Sequence, residues 1–104
     1  MNRTLTAEEL STARANVELI DVRREADRVD DPQAIPGAKW RNPEQADQWI
    51  ADLPNDKDVV IYCVRGGSVS NSVLDKLRAN NINARYLEGG IVAWKQSGGS
   101  TEPI

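Results

Sequence analysis

Short apolar runs alternate with segments of helical character along nearly the whole chain, and this alternation limits the possible folds more than any other feature. The clearest run, Val59-Val60-Ile61-Tyr62, follows a charged stretch and precedes a loop with two glycines. Strands that alternate with helices predict an α/β fold with a mainly parallel sheet, covered by helices on both faces. The predicted strands cover residues 18–22, 39–40, 58–62 and 85–87.

Two helix starts carry recognisable capping residues. Thr6 is placed to cap the first helix, and Glu9 stands three residues later, where it completes a capping box. Asn42 followed by Pro43 marks the start of the second helix. The apolar side chains of the predicted helices fall on single faces: Ala46, Trp49, Ile50 and Leu53 in the second, Val69, Val73, Leu74 and Leu77 in the third, and Ile91, Val92 and Trp94 in the last.

Three stretches are predicted to hold little regular structure. Residues 23–33 are rich in acids and bases without a clean period, and they predict a loop with one helical turn. The sequence Pro54-Asn55-Asp56 is predicted to break the second helix before the next strand. The glycines at positions 98 and 99 predict a loose tail over residues 95–104. The chain has 104 residues, a length typical of one domain, so residues 1–104 are expected to form a single domain.

The single cysteine, Cys63, opens the loop Val64-Arg65-Gly66-Gly67-Ser68 between a strand and a helix. Backbone N–H groups at such a junction lack partners, and together with the helix dipole they favour an anion there. Two interpretations are open, because a free cysteine also serves as a small buried apolar residue. The paired glycines and Arg65 favour the reactive interpretation, in which Cys63 is a thiolate nucleophile at neutral pH.

Composition excludes several kinds of chemistry. The chain has no histidine, which excludes Cys–His pairs, Ser–His–acid triads and histidine-ligated metal sites. One cysteine allows neither an internal disulfide nor a CxxC pair. No metal and no cofactor are therefore expected, and activation of Cys63 must come from the loop, the helix end and nearby cations.

Charge and hydropathy narrow the range of partners. The net charge of −3 and the lack of a basic stripe argue against nucleic acid. No segment is apolar enough to resemble a signal peptide or to span a bilayer, so no membrane is expected as a partner. A cytoplasmic location is expected, since a free thiol suits that reducing compartment.

Polar residues follow the predicted strands at one edge of the sheet. Asp21, Cys63 and Glu88 each lie at the carboxyl end of a strand, where parallel α/β sheets bind their ligands. For Asp21 with Arg23, and likewise for Glu88, a structural ion pair that holds the strand ends is favoured over a direct chemical role. Arg65 is expected to contact an anionic ligand. Ser68 is expected to cap the following helix and also to donate to a ligand bound in the loop.

Four stretches together resemble single-domain rhodaneses, the sulfurtransferase family. These are Leu19-Ile20-Asp21-Val22-Arg23, Ile35-Pro36-Gly37-Ala38, Val60 to Ser68, and Leu87-Glu88-Gly89-Gly90-Ile91 with Ala93-Trp94. The resemblance spans nearly the whole chain and implies a five-stranded, mainly parallel sheet. It also implies that Cys63 is the nucleophile and carries a persulfide, and that residues Val64, Arg65, Gly66, Gly67 and Ser68 bind the sulfur.

The resemblance implies transfer of a sulfane sulfur from thiosulfate or a persulfide donor to cyanide or a cellular thiol. A protein sulfur acceptor is a further expected partner. Two positions depart from the family pattern: Ala34 stands where a histidine is usual, and Ser68 with Val69 stands where many members have a second loop cation. Arg65 is then the only loop cation, which favours a persulfide or protein donor over thiosulfate.

Two other function classes stay open from the sequence. A cysteine-dependent phosphatase or arsenate reductase needs an arginine six residues after the cysteine to clamp oxyanion oxygens, and the chain has Val69 there. A sulfur carrier would load sulfur on Cys63 and release it only to a protein partner. Turnover with small donors and cyanide separates the carrier from the enzyme.

Overall fold

The computed structural model describes residues 2–53 and 56–104. Its centre is a five-stranded sheet in which every neighbouring pair of strands is parallel. The strands are β1 (Thr4–Leu5), β2 (Val17–Asp21), β4 (Lys39–Trp40), β5 (Asp58–Tyr62) and β6 (Ala84–Leu87). Along the sheet the order is β1, β6, β5, β2, β4, so β5 lies in the middle.

Helices cover both faces of the sheet, as the alternation of strands and helices predicts. Each connection between parallel strands must cross over the sheet, and helices make most of these crossings. The helices are α1 (Ala7–Ala13), α2 (Glu25–Asp30), α3 (Ala46–Ile50), α4 (Ser68–Ala79) and α5 (Gly90–Gln96). Short 3₁₀ turns, Arg14–Asn16 and Pro43–Gln45, follow α1 and precede α3.

The core consists of two apolar clusters, one on each face of the sheet. Side chains along a strand alternate between faces, and β5 supplies both clusters. Val59, Ile61 and Cys63 pack with the apolar faces of α3 and α4. Val60 and Tyr62 pack on the opposite face with residues of α1 and α5. The period of the strand therefore decides that the Cys63 side chain lies on the α4 side.

Capping explains where α1 and the 3₁₀ turn before α3 begin. The Thr6 hydroxyl accepts from the Glu9 N–H at 3.1 Å, and the Glu9 carboxylate accepts from the Thr6 N–H at 2.8 Å. These two bonds form the predicted capping box, and the bond from the Thr6 N–H to the Glu9 carboxylate lowers the pKa of Glu9. The Asn42 side chain caps the 3₁₀ turn before α3, with Pro43 at its first position. The predicted helix break at Pro54-Asn55 lies outside the described residues.

The prediction for residues 23–33 understated their order, because they contain the six-residue helix α2. Two strand boundaries differ by one residue: β2 begins and ends one residue earlier than predicted, at Val17 and Asp21, and β6 begins one residue earlier, at Ala84. The edge strand β1 was not predicted, since two residues directly before a helix cap show no period of their own.

The prediction of a loose tail was wrong. Residues Glu102–Pro103 form a strand, β7, that pairs antiparallel with β3 (Gln33–Ala34). The Trp94 indole N–H donates to the Ser100 carbonyl at 2.7 Å, so the chain end folds back over α5. The glycines at 98 and 99 turn the chain here; the Gly99 N–H donates to the Trp94 carbonyl at 2.9 Å. Across the described part of the chain, none of the helices has the length and apolar character needed to cross a membrane.

Candidate active site

The site predicted from the strand ends lies at the carboxyl edge of the two central strands. In the register of β2 and β5, Asp21 pairs with Tyr62, so the residues that follow both strands leave the sheet side by side. Asp21 and Cys63 are both buried there, with exposed fractions of 2% and 5%. The edge therefore brings a buried carboxylate and a buried thiol to adjacent strand ends.

The Cys63 thiol lies against helix α4 and has one side-chain hydrogen-bond partner among the described residues. The Ser70 hydroxyl donates to Cys63 Sγ, with an Oγ–Sγ distance of 2.9 Å, and Ser70 is fully buried. Val73 and Leu74, one turn further along α4, pack in the same cluster as Cys63. The sulfur thus has an apolar environment on the protein side and a single hydroxyl donor.

Helix α5 fixes the start of the loop after Cys63. The Ile91 N–H donates to the Cys63 carbonyl at 3.0 Å, and the Val92 N–H donates to the Val64 carbonyl at 3.2 Å. Gly90 permits this approach, because a Cβ there would lie 2.5 Å from the Cys63 oxygen and also against the Val64 oxygen. Its φ of +63° is a second reason for glycine at this position.

The remainder of the loop is held by glycine and by an asparagine of α4. Gly66 has a φ of +73°, and a Cβ there would lie 3.1 Å from Gly89 N and 3.2 Å from the Leu87 oxygen. The Gly67 carbonyl accepts two bonds from Asn71, one from its backbone N–H and one from its side chain, both at 3.1 Å. The glycines therefore let the loop turn tightly against β6 and α5.

The loop's N–H groups, in contrast to these carbonyls, are free. From Val64 to Ser70, no backbone N–H donates to an acceptor within residues 2–53 and 56–104. In a trans peptide the C=O and the following N–H point in opposite directions. Because α5 holds the carbonyls of Cys63 and Val64, the N–H groups of Val64 and Arg65 are turned away from α5. The loop and the first turn of α4 thus offer a run of unpaired donors.

The two polar side chains of the loop, Arg65 and Ser68, are both exposed. Arg65 is exposed, and no ion pair involves it in the part of the chain that the structure describes. Ser68 does not cap α4, contrary to expectation. It is the first helical residue and is exposed, while the capping position belongs to Gly67, which has no side chain to accept a bond.

Asp21 and Arg23 form a buried ion pair at the end of β2. Arg23 Nη2 lies 2.9 Å from the Asp21 carboxylate, and Arg23 also donates to the carbonyls of Asp31 and Gln33 at 3.1 and 2.7 Å. Burial alone lowers the pKa of Arg23, but its bonds to the Asp21 carboxylate outweigh burial and raise that pKa. Burial, and then the charge of Asp21, raise the pKa of the Tyr62 hydroxyl.

Glu88 does not join such a pair, contrary to expectation. Its side chain is exposed, and no salt bridge involves it among the described residues. What connects Glu88 to the sheet is its backbone N–H, which donates to the Leu5 carbonyl at 2.9 Å. The same part of the chain contains no group of three or more side chains that could hold a metal ion.

Ser70 was not predicted as a site residue, although the sequence contains a pattern that indicates its burial. Ser70, Val73, Leu74 and Leu77 have the spacing i, i+3, i+4, i+7, and all four are buried. A serine on the buried face of an amphipathic helix needs a hydrogen-bond partner in the core. Val69 was predicted as the first residue of this face because it is apolar, and Ser70 was therefore not recognised as a buried residue that needs a partner.

Comparison with known proteins agrees with this architecture. A family model described as "Rhodanese-like domain" matches residues 6–97. The "Probable adenylyltransferase/sulfurtransferase MoeZ" of Mycobacterium tuberculosis (strain CDC 1551 / Oshkosh) is 34% identical over 80 residues, which are 73% of this chain and 19% of that protein. The chain thus spans about a fifth of the length of the curated relatives it matches.

Solved structures show the same fold. A rhodanese-related protein from Thermoplasma volcanium superposes with a TM-score of 0.86 and 21% identity, covering 96% of this chain and 97% of that one. A rhodanese-like domain protein from Staphylococcus aureus superposes with a TM-score of 0.76 and 29% identity, covering 90% and 91%. Since the family model covers most of the chain, the protein belongs to the family of rhodanese-like domains.

Proposed function

We propose that this protein is a sulfurtransferase that carries sulfur as a persulfide on Cys63, with Val64 to Ser68 as the sulfur-binding loop. The sulfane sulfur comes from thiosulfate or a persulfide donor, and it leaves to a thiophilic acceptor such as cyanide, a cellular thiol or a protein thiol. Membership in the rhodanese-like family and the likeness to a protein named as a probable sulfurtransferase support the reaction class. A reducing compartment such as the cytoplasm suits this free thiol.

The reaction divides into loading and discharge. In loading, the Cys63 thiolate attacks the outer sulfur of thiosulfate, the donor's S–S bond breaks, and sulfite leaves with the bonding electron pair. In discharge, the acceptor attacks the outer sulfur of the persulfide, and the electron pair of that S–S bond returns to Cys63 Sγ. The negative charge on the outer sulfur of the persulfide is the charge that the loop must stabilise.

The observation that carries the proposal is the run of unpaired N–H groups from Val64 to Ser70 around the cysteine. These groups begin at the residue after Cys63 and end in the first turn of α4, a twelve-residue helix whose dipole adds positive potential. Fixed donors of this kind stabilise an anion without a reorganisation cost at the moment of reaction. Neither a base nor a metal is needed, which suits a chain without histidine.

Phosphoryl transfer has weaker support. That reaction needs a guanidinium to hold two phosphoryl oxygens at once, and the position six residues after Cys63 holds half-buried Val69. Arg65 is the only cation between Val64 and Ser68, so no other guanidinium of the loop can take that place.

Intact-protein mass spectrometry after thiosulfate treatment tests the proposal, with Cys63→Ser as the comparison. We expect the wild type to gain one sulfur atom, which cyanide then removes as thiocyanate, and Cys63→Ser to gain none. A wild-type protein that takes no sulfur from thiosulfate or from a persulfide donor would overturn the proposal. Hydrolysis of an aryl phosphate that depends on Cys63 would favour the phosphatase instead.

The same samples separate an enzyme from a carrier. Repeated turnover with thiosulfate and cyanide supports a sulfurtransferase that acts alone. Stable loading with negligible turnover until a protein acceptor is added supports a carrier, which fits the scarcity of cations in the loop.

A further inference from the structure

We propose that Ser70 is a catalytic residue for the discharge step, in which its hydroxyl stabilises the Cys63 thiolate as the leaving group. This inference rests on the proposed function. Its basis is the contact between the Ser70 hydroxyl and Cys63 Sγ at 2.9 Å, with both residues buried.

The position of Ser70 follows from two structural periods. The alternation of β5 places Cys63 on the face of the sheet that α4 covers. The helical period of α4 places Ser70 on the face that packs against that sheet. The hydroxyl therefore approaches the sulfur from the protein interior, on the side away from a substrate.

The direction of the hydrogen bond follows from the charge on the sulfur. A thiolate has no proton to give, so the hydroxyl donates and the sulfur accepts. In the persulfide, Sγ is bonded to carbon and sulfur and carries no full charge, so this bond is a weak one. During discharge the electron pair of the breaking S–S bond returns to Sγ, the negative charge grows there, and the bond strengthens. The Ser70 proton stays on its oxygen throughout.

Such a bond accelerates discharge because it is stronger in the transition state than in the loaded enzyme. Its effect on loading is different. In that step the Cys63 thiolate loses negative charge as it attacks the donor, and the hydrogen bond from Ser70 weakens. A better-stabilised thiolate is a weaker nucleophile but a better leaving group. A serine that only fills a polar site in the core would show no such asymmetry between the two steps.

Single-turnover cyanolysis of the loaded protein tests this role. Wild type and Ser70→Ala are loaded with thiosulfate, freed of donor, mixed with cyanide, and followed by thiocyanate release and by intact mass. We expect Ser70→Ala to discharge its sulfur roughly 10- to 100-fold more slowly, with a smaller change in the rate of loading. Ser72→Ala is the matched control, because Ser72 lies on the exposed face of the same helix.

Ser70→Thr and a thermal melt separate chemistry from folding. We expect Ser70→Ala to melt close to the wild type, since alanine suits a helix interior, and Ser70→Thr to recover part of the discharge rate through its hydroxyl. If wild type loads sulfur but Ser70→Ala discharges it at the wild-type rate, or slows loading as much as discharge, this inference is wrong. If wild type takes no sulfur at all, it is the proposed function that fails.

Discussion

Arg23 shows how a charged residue becomes part of a protein core when its donors find acceptors. Its side chain is fully buried, yet it donates to the Asp21 carboxylate and to the carbonyls of Asp31 and Gln33. Its own carbonyl accepts the Trp40 indole N–H at 2.8 Å. The pair therefore ties the end of β2 to the segment that follows it.

Removal of the negative partner is expected to be costly. Asp21→Asn leaves the Arg23 guanidinium buried, and among residues 2–53 and 56–104 its remaining carboxylate partner is Asp31, at 3.8 Å. We expect the free energy of unfolding in urea to fall by about 3–5 kcal/mol. Asp47→Asn is the control, because Asp47 pairs with Lys76 on the surface and is 81% exposed. It should change stability by less than about 1 kcal/mol. Equal effects of the two variants would contradict this account.

Single residues also show where prediction from the sequence stops. The position of Cys63 at a strand end could be predicted, because the apolar run before it and the glycines after it are local signals. The contact between Cys63 and Ser70 could not be predicted, since it depends on how β5 and α4 pack. The prediction that Ser68 caps α4 was wrong because the chain enters the helix through Gly67, one residue earlier than the local pattern indicates.

At the scale of elements, prediction succeeded where each element has a period or a cap of its own. Strand β5 was predicted with its observed bounds, and the capping box at Thr6 fixed the start of α1. Strands β1, β3 and β7 have two residues each, too few to show alternation. Strand β4 is equally short, but the turn Ile35-Pro36-Gly37-Ala38 before it indicated its position. Only their partners in the folded chain make β1, β3 and β7 strands.

The contact between α5 and the cysteine loop gives a prediction at this scale. Gly90→Ala places a Cβ against the Cys63 and Val64 carbonyls, so the loop must shift and its N–H groups lose their positions. We expect the rate of sulfur loading from thiosulfate to fall by about 100-fold, as a displacement of 1 Å can cause. Mass spectrometry of timed samples measures the loading.

Gly98→Ala controls for backbone strain in this experiment. Gly98 also has a positive φ, +85°, but a Cβ there would meet nothing within 4 Å. Both variants should lose about 1–2 kcal/mol of stability from the left-handed conformation. Only Gly90→Ala should lose sulfur loading. If both variants load sulfur at the wild-type rate, α5 does not position the loop.

At the scale of the whole molecule, the chain end is connected to the region beside the site through a series of contacts. Strand β7 pairs with β3, and the Ile104 N–H donates to the Pro32 carbonyl at 3.0 Å. The same stretch supplies the Gln33 carbonyl that accepts from Arg23. Lys95 of α5 pairs with Asp31 as well. The segment that completes the hydrogen bonds of the buried arginine is thus held in place by the C-terminal residues.

Deletion of residues 98–104 is therefore expected to destabilise the fold beyond the loss of two short strands. The Trp94 indole N–H loses the Ser100 carbonyl as its acceptor, and the loss of such a hydrogen bond costs about 0.5–1.5 kcal/mol. We expect the urea midpoint to fall and the tryptophan emission to shift to longer wavelength as water reaches a ring that is 3% exposed in the intact chain. Ile104→Ala, at an exposed position, should change stability by no more than about 0.5 kcal/mol. A truncated chain that unfolds at the wild-type urea concentration would show that β3 and the arginine network hold without the C-terminal strand.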